Sequence, residues 1–142
     1  MDFYEQVIEF YLTAIEGCAV LPQVNVTHSS SGEPWNACPD FLALDFGKKQ
    51  VQIIEVSKKW DSPTRLALKW HADYRKNIEY FVRNSILRNH LEFELLWRFI
   101  VRGPNVEKLK SRSEYRDFIA TGGKATVESI EMIFDSIKEK MP

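Results

Sequence analysis

Pro39-Asp40-Phe41-Leu42-Ala43-Leu44-Asp45-Phe46-Gly47-Lys48-Lys49-Gln50-Val51-Gln52-Ile53-Ile54-Glu55-Val56-Ser57 is the stretch on which the fold turns. Residues 41–46 and 51–57 are β-rich runs, and Gly47-Lys48-Lys49 between them is a turn signal, so the stretch predicts a β-hairpin. Pro39-Asp40 opens its first strand and Glu55 lies near the end of its second, with 14 residues between the two carboxylates. Glu55 sits inside Val51-Gln52-Ile53-Ile54-Glu55-Val56, where burial is expected and an unpaired charge would be costly. Adjacent antiparallel strands bring two such carboxylates close enough to share an ion when the register sets them opposite each other.

Upstream, Phe3, Val7, Phe10 and Ala14 lie beside a second row, Tyr4, Ile8, Tyr11 and Ile15. Together they form the stripe of an amphipathic helix over residues 2–16, ended by Gly17. Val20, Leu21, Val24 and Val26 suggest a short strand, followed by the Ser-rich loop at 28–36. Downstream, Asp61-Ser62-Pro63 is a helix-start signal, and Leu66, Trp70, Tyr74, Ile78 and Phe81 keep helical spacing, so one long helix is predicted to about residue 88. Phe93, Leu95, Trp97, Phe99 and Val101 then alternate as a strand with one fully apolar face, stopped by Gly103-Pro104. Two short helices follow, about 105–120 and 126–139, separated by Thr121-Gly122-Gly123-Lys124, with Thr126 as a weak cap.

The chain has 142 residues, 27% charged and 44% hydrophobic, with 19 Lys+Arg against 20 Asp+Glu. That composition excludes intrinsic disorder and suits a single domain, 1–142. A chain of this size buries about 68–70% of its unfolded surface, so its core needs neither disulfides nor a structural metal. Cys18 and Cys38 have no Cys or His at zinc-ligand spacing and are expected as reduced thiols in a cytoplasmic protein. The acidic N-terminus lacks the positive charge of a signal peptide, and no apolar run approaches the ~20 residues of a membrane span. The charges are unevenly laid out: seven acidic residues and no Lys or Arg precede Lys48, whereas 16 basic and 8 acidic residues lie from Lys48 to Arg116.

In order, the elements are helix, strand, strand, strand, helix, strand, with the acidic pair on the two strands of one hairpin. This arrangement resembles the PD-(D/E)XK nuclease superfamily, the restriction-endonuclease-like fold. The resemblance covers about residues 2–102. It implies an α/β protein with an α-β-β-β-α-β core, a central mixed sheet flanked by helices, and two extra C-terminal helices over about 105–139. It also implies a metal-dependent nuclease in which Asp40, Glu55 and the main-chain carbonyl of Val56 hold Mg²⁺ or Mn²⁺, and the metal makes a water nucleophilic. In the family a Lys stands two positions after the second acid and shares its face of the strand. Here that position is Ser57. Lys58 and Lys59 come one and two residues late, and Lys58 faces the opposite side of a regular strand unless a bulge turns it. Lys69, from the following helix, is the other candidate amine. A second resemblance supports it: Glu55-Val56-Ser57, Ser62-Pro63-Thr64, Lys69 and Tyr74 are similar to an endonuclease branch of this superfamily that is expanded in cyanobacteria. Many members add a Glu from the first helix, and Glu9, between Glu5 and Glu16, is the central choice. The implied catalytic set is therefore Asp40, Glu55, Ser57, Lys58, Lys69 and Glu9.

Arg65, Lys69, Lys76 and Arg83 are separated by 4, 7 and 7 residues, so they form one stripe along the long helix. Such a stripe suits a phosphate backbone, DNA being the expected partner, and Arg98 and Arg102 would extend it. The bland alternative is a solvated face balanced by Asp73, Glu79 and the acidic first helix; with a pI of about 6.3, any basic surface must be local. Trp35 could stack on a base, but core packing suits it better. His28, His71 and His90 are not spaced as ligands. Two further functions compete with the nuclease: a restriction-endonuclease-like binding or regulatory module that has lost catalysis, which Ser57 favours, and a protein–protein adaptor, which the 13% aromatic content would suit. A homodimer is expected by analogy with small members of the superfamily.

Overall fold

The computed structural model describes residues 2–27, 29–33, 35–57, 72–90 and 92–141, the side chains of Ala72 and Asp73 excepted. The helix-start signal at Asp61-Ser62-Pro63 and the first part of the long helix lie outside the described residues.

The first helix, α1 (Phe3–Phe10), starts on a capping box. The Asp2 carboxylate accepts the Glu5 N–H at 2.9 Å, and Glu5 Oε2 accepts the Asp2 N–H at 3.4 Å, which satisfies two backbone donors. The helix widens into a π turn at Tyr11–Ile15 and ends at Gly17, whose φ of +72° disfavours any side chain. Strand β1 (Ala19–Pro22) pairs antiparallel with β2 (Phe41–Asp45), and β2 pairs antiparallel with β3 (Gln50–Ser57). The hairpin is the one expected, with the register running from Phe41↔Ile54 to Asp45↔Gln50. Val26 forms an isolated bridge with Ala37 and is not part of β1.

Helix α2 (Ala72–Phe81) continues into a second π turn, Val82–Ile86, and leads to β4 (Glu94–Val101), which lies parallel to β3. Then come α3 (Asn105–Lys110), α4 (Ser113–Ala120), β5 (Ala125–Ser129) and α5 (Ile130–Lys140). The sheet order is β1-β2-β3-β4-β5, with β5 parallel to β4. This is an α/β fold with the α-β-β-β-α-β core of the restriction-endonuclease-like architecture and a mixed sheet between helices.

The C-terminal addition needs two corrections. Residues 126–129, expected in the first turn of a helix, belong with Ala125 to a fifth strand, and the helix begins after it. The cap is Ser129, whose hydroxyl accepts the Met132 N–H at 3.2 Å, so the start signal lies three residues beyond Thr126. The helix expected over 105–120 is broken by the extended backbone of Arg112.

Two apolar cores sandwich the sheet. On one face Leu42, Val51, Ile53, Trp97, Phe99 and Val127 pack beneath Ile78 and Val82 of the α2 segment, Leu109 of α3 and Phe118 of α4. On the other, Phe41, Ala43, Ile54 and Ile100 meet Ile8 and Leu12 from the α1 segment and Ile130 and Ile133 of α5. Strands β3 and β4 are thus buried on both sides, which gives near-continuous apolar runs in place of clean alternation. Among the described residues, no helix is long and apolar enough to cross a membrane. Cys18 is buried, Cys38 is exposed, and both are thiols.

Candidate active site

Strand β3 outruns β2 by three residues, because the ladder between them stops at Phe41↔Ile54 while β3 continues to Ser57. Continued one step past this end, the register sets Asp40, the residue before β2, against Glu55 of β3. The Val56 N–H on that side has no β2 carbonyl to meet, and the Asp40 carboxylate takes its place: Oδ2 accepts this N–H at 2.7 Å. Alternation puts Glu55 on the face of Val51 and Ile53, and Asp40 on that of Leu42, so both carboxylates belong to the face covered by α2.

Glu55 is 2% exposed, as its apolar neighbours suggested. The Tyr74 hydroxyl, from α2, donates to Glu55 Oε1 at 2.5 Å. Burial, followed by the charges of Glu55 and Asp40, pushes the Tyr74 phenol far above its usual range, so it is a neutral donor. The Trp35 ring meets Tyr74 edge-on at 5.7 Å and packs against the core, the role expected for it. The loop carrying Trp35 is tied to α2 by the Ser30 N–H, which donates to the buried Asn77 Oδ1 at 2.9 Å.

The other sequence candidates divide. Ser57, the last residue of β3, is half-buried, and alternation returns it to the face of Glu55. Lys58, Lys59, Arg65 and Lys69 lie outside the described residues. Glu9 is half-buried on α1, which covers the opposite face of the sheet from α2. Two carboxylates with hard oxygen donors are what Mg²⁺ takes from a protein when substrate and water complete its octahedron, so the donor chemistry fits such an ion. Among the described residues, no group of three or more His, Cys, Asp or Glu is arranged to hold a metal by itself. Tyr74, named in the resemblance to the endonuclease branch and in the apolar row of its helix, had no site role in the sequence reading and gains one from its bond to Glu55.

The basic stripe is corrected at two positions. Arg98, expected to extend it, is buried on the opposite face and clamps Glu128 with two bonds of 2.7 Å, while Glu16 lies 3.0 Å away and Gln52 Oε1 accepts at 2.8 Å. Arg102 is held by the Tyr4 hydroxyl and lies 3.5 Å from Glu131. The reason is strand parity: Arg98 and Arg102 point with Ile100 to the face of α1 and α5, where Glu16 just past the first π turn, Glu128 of β5 and Glu131 of α5 meet them. Arg83 is half-buried and donates to the Phe93 carbonyl at 3.2 Å, whereas Lys76 is exposed. His90 is exposed, 3.7 Å from Glu92, and shows no ligand geometry.

No family model matches the sequence, and no curated protein matches it. Two solved structures are similar to the chain in fold. One is a crystal structure of a protein of unknown function, AF1548, at 15% identity and a TM-score of 0.55, with 96% of this chain and 67% of that one covered. The other is an XisH family protein from Nostoc punctiforme PCC 73102, at 14% identity and a TM-score of 0.50, with 93% and 94% covered. At such identities the likeness is one of fold.

Proposed function

We propose that the chain is a metal-dependent nuclease, with DNA as substrate, Asp40 and Glu55 as the carboxylates that hold Mg²⁺ or Mn²⁺, and the cytoplasm as its setting. The observation that carries this reading is the juxtaposition of Asp40 and Glu55 on one sheet face at the open end of the antiparallel hairpin. A bound Mg²⁺ would neutralise phosphate charge and lower the pKa of a water. The protein's part is to fix the two carboxylates: the Val56 N–H orients Asp40, and the β3 backbone with Tyr74 orients Glu55. Ser57 is too short and too weakly basic to replace a lysine, so the amine that stabilises developing phosphate charge is assigned to Lys58, Lys59 or Lys69.

The test is cleavage of supercoiled plasmid with Mg²⁺ or Mn²⁺. Asp40→Ala and Glu55→Ala should each lose at least about 100-fold in rate, because partners one shell further out already cost about 10–100-fold. Equal nicking by wild type and both variants would sink the reading. Ser57 at the lysine position favours a second one, a catalytically silent binding module. It predicts DNA retention that falls steeply with salt and no cleavage with either metal.

A further inference from the structure

We infer that Tyr74 is a positioning residue that fixes the orientation in which Glu55 meets a divalent cation. The inference rests on the metal-site reading above and adds to it the part of the site that lies 19 positions away in sequence. A Glu side chain has two staggered torsions and a broad terminal one, so its carboxylate turns easily unless something holds it. Here the hold is a charge-assisted O–H···O⁻ bond of 2.5 Å onto Oε1, at the short end for its type. The ring that delivers the hydroxyl is itself fixed, edge-on to Trp35 at 5.7 Å and tilted against Trp97 at 6.0 Å. Trp97 stacks in turn on Phe99, the β4 residue paired with Glu55, at 6.0 Å. Glu55 is thus braced from α2 through an aromatic chain rooted in the sheet that carries it. Metal-ligating carboxylates work this way, and losing such a partner typically costs about 10–100-fold in metal affinity.

The test uses the full chain and Mn²⁺ alone. Binding is followed by the paramagnetic resonance of free and bound Mn²⁺ in wild type, Tyr74→Phe, Glu55→Gln and Asp40→Asn, with a thermal melt of each. Tyr74→Phe keeps the ring and its packing, so it is expected to melt cooperatively, to bind Mn²⁺ about 10–100-fold more weakly, and to change the spectrum of the bound ion at saturation. A tyrosine that only fills the core would alter the melt and leave affinity and spectrum as they are. If Glu55→Gln and Asp40→Asn lose binding while Tyr74→Phe keeps wild-type affinity and spectrum, the metal site stands and the positioning role is overturned. If Glu55→Gln and Asp40→Asn bind as wild type does, or the wild type binds no Mn²⁺, the metal-site reading fails and the inference falls with it. Should Tyr74→Phe fail to melt cooperatively, Trp35→Leu loosens the same ring while keeping the hydroxyl; it is expected to weaken Mn²⁺ binding, and unchanged binding would overturn the role.

Discussion

Arg98 sits in the middle of β4 at 5% exposure, where a lone guanidinium would cost several kcal/mol of lost solvation. Burial works against its charge, but the bonds to Glu128 and Glu16 outweigh it and hold the group more basic than usual. Glu128 mirrors this: burial pushes its carboxyl up, and the Arg98 bonds more than reverse that and hold it below its ordinary value near 4.5. A carboxylate whose folded value is lowered contributes stability that is present above the ordinary value and is lost as pH falls through the lower folded one. Glu128→Gln should therefore cost about 1.5–3 kcal/mol near pH 7, the usual worth of a bond to a charged group. The gap between variant and wild type should close as pH drops below about 4.5. Urea titrations at several pH values check this, and a gap constant from pH 7 to pH 3 would mean that the clamp is not electrostatic.

The elements fall into those that local pattern reveals and those that it does not. The hairpin was legible because two β-rich runs, a Gly-Lys-Lys turn and a carboxylate inside an apolar run all agree over 19 residues. Strand β5 was not: five residues between a Gly pair and a helix give too little alternation, and its pairing partner β4 is remote in sequence. Glu55 could be found because charge in an apolar run is conspicuous, and Asp40 because Pro-Asp opens the partner strand, whereas Tyr74, named only in the resemblance to the endonuclease branch, lies among apolar residues of its helix, its hydroxyl partner visible only in three dimensions. The turn into β5 shows how specific such a connection is. Helix α4 closes with the Gly122 N–H on the Ile119 carbonyl and the Gly123 N–H on the Phe118 carbonyl, at 3.1 and 2.9 Å, with Gly122 at φ +89°. A Cβ on Gly123 would stand 2.3 Å from the Phe118 ring and 2.7 Å from the Phe118 carbonyl oxygen. Neither yields easily, because the ring packs on Trp97 and the carbonyl is engaged in the cap. Gly123→Ala should destabilise the protein by about 1–3 kcal/mol, seen as a lower urea midpoint at unchanged slope.

At the scale of the whole molecule, the acidic front end meets the basic middle, among the described residues, on the sheet face opposite α2. Glu16 reaches Arg98 from the first helical segment, and the C-terminal addition supplies Glu128 to Arg98 and Glu131 to Arg102. The addition is therefore bound into the core by charge as well as by Phe118, Val127, Ile130 and Ile133. The family resemblance places the core at about 2–102 and makes the C-terminal addition an appendage to it. A chain ending at Gly103 separates the two views. It would lose β5 from the edge of β4, the α3, α4 and α5 cover on both faces, and the carboxylate that binds Arg98 twice. We expect residues 1–103 to lack a cooperative thermal transition and to expose apolar surface to a hydrophobic dye, even if some secondary structure persists. Replacing Arg98 by Leu in that shortened chain removes the stranded charge but restores none of the lost apolar cover, so it should not recover cooperative melting. Recovery would mean that the charge, and not the missing cover, had prevented folding; a sharp melt of the unmodified 1–103 chain would make the addition an appendage after all.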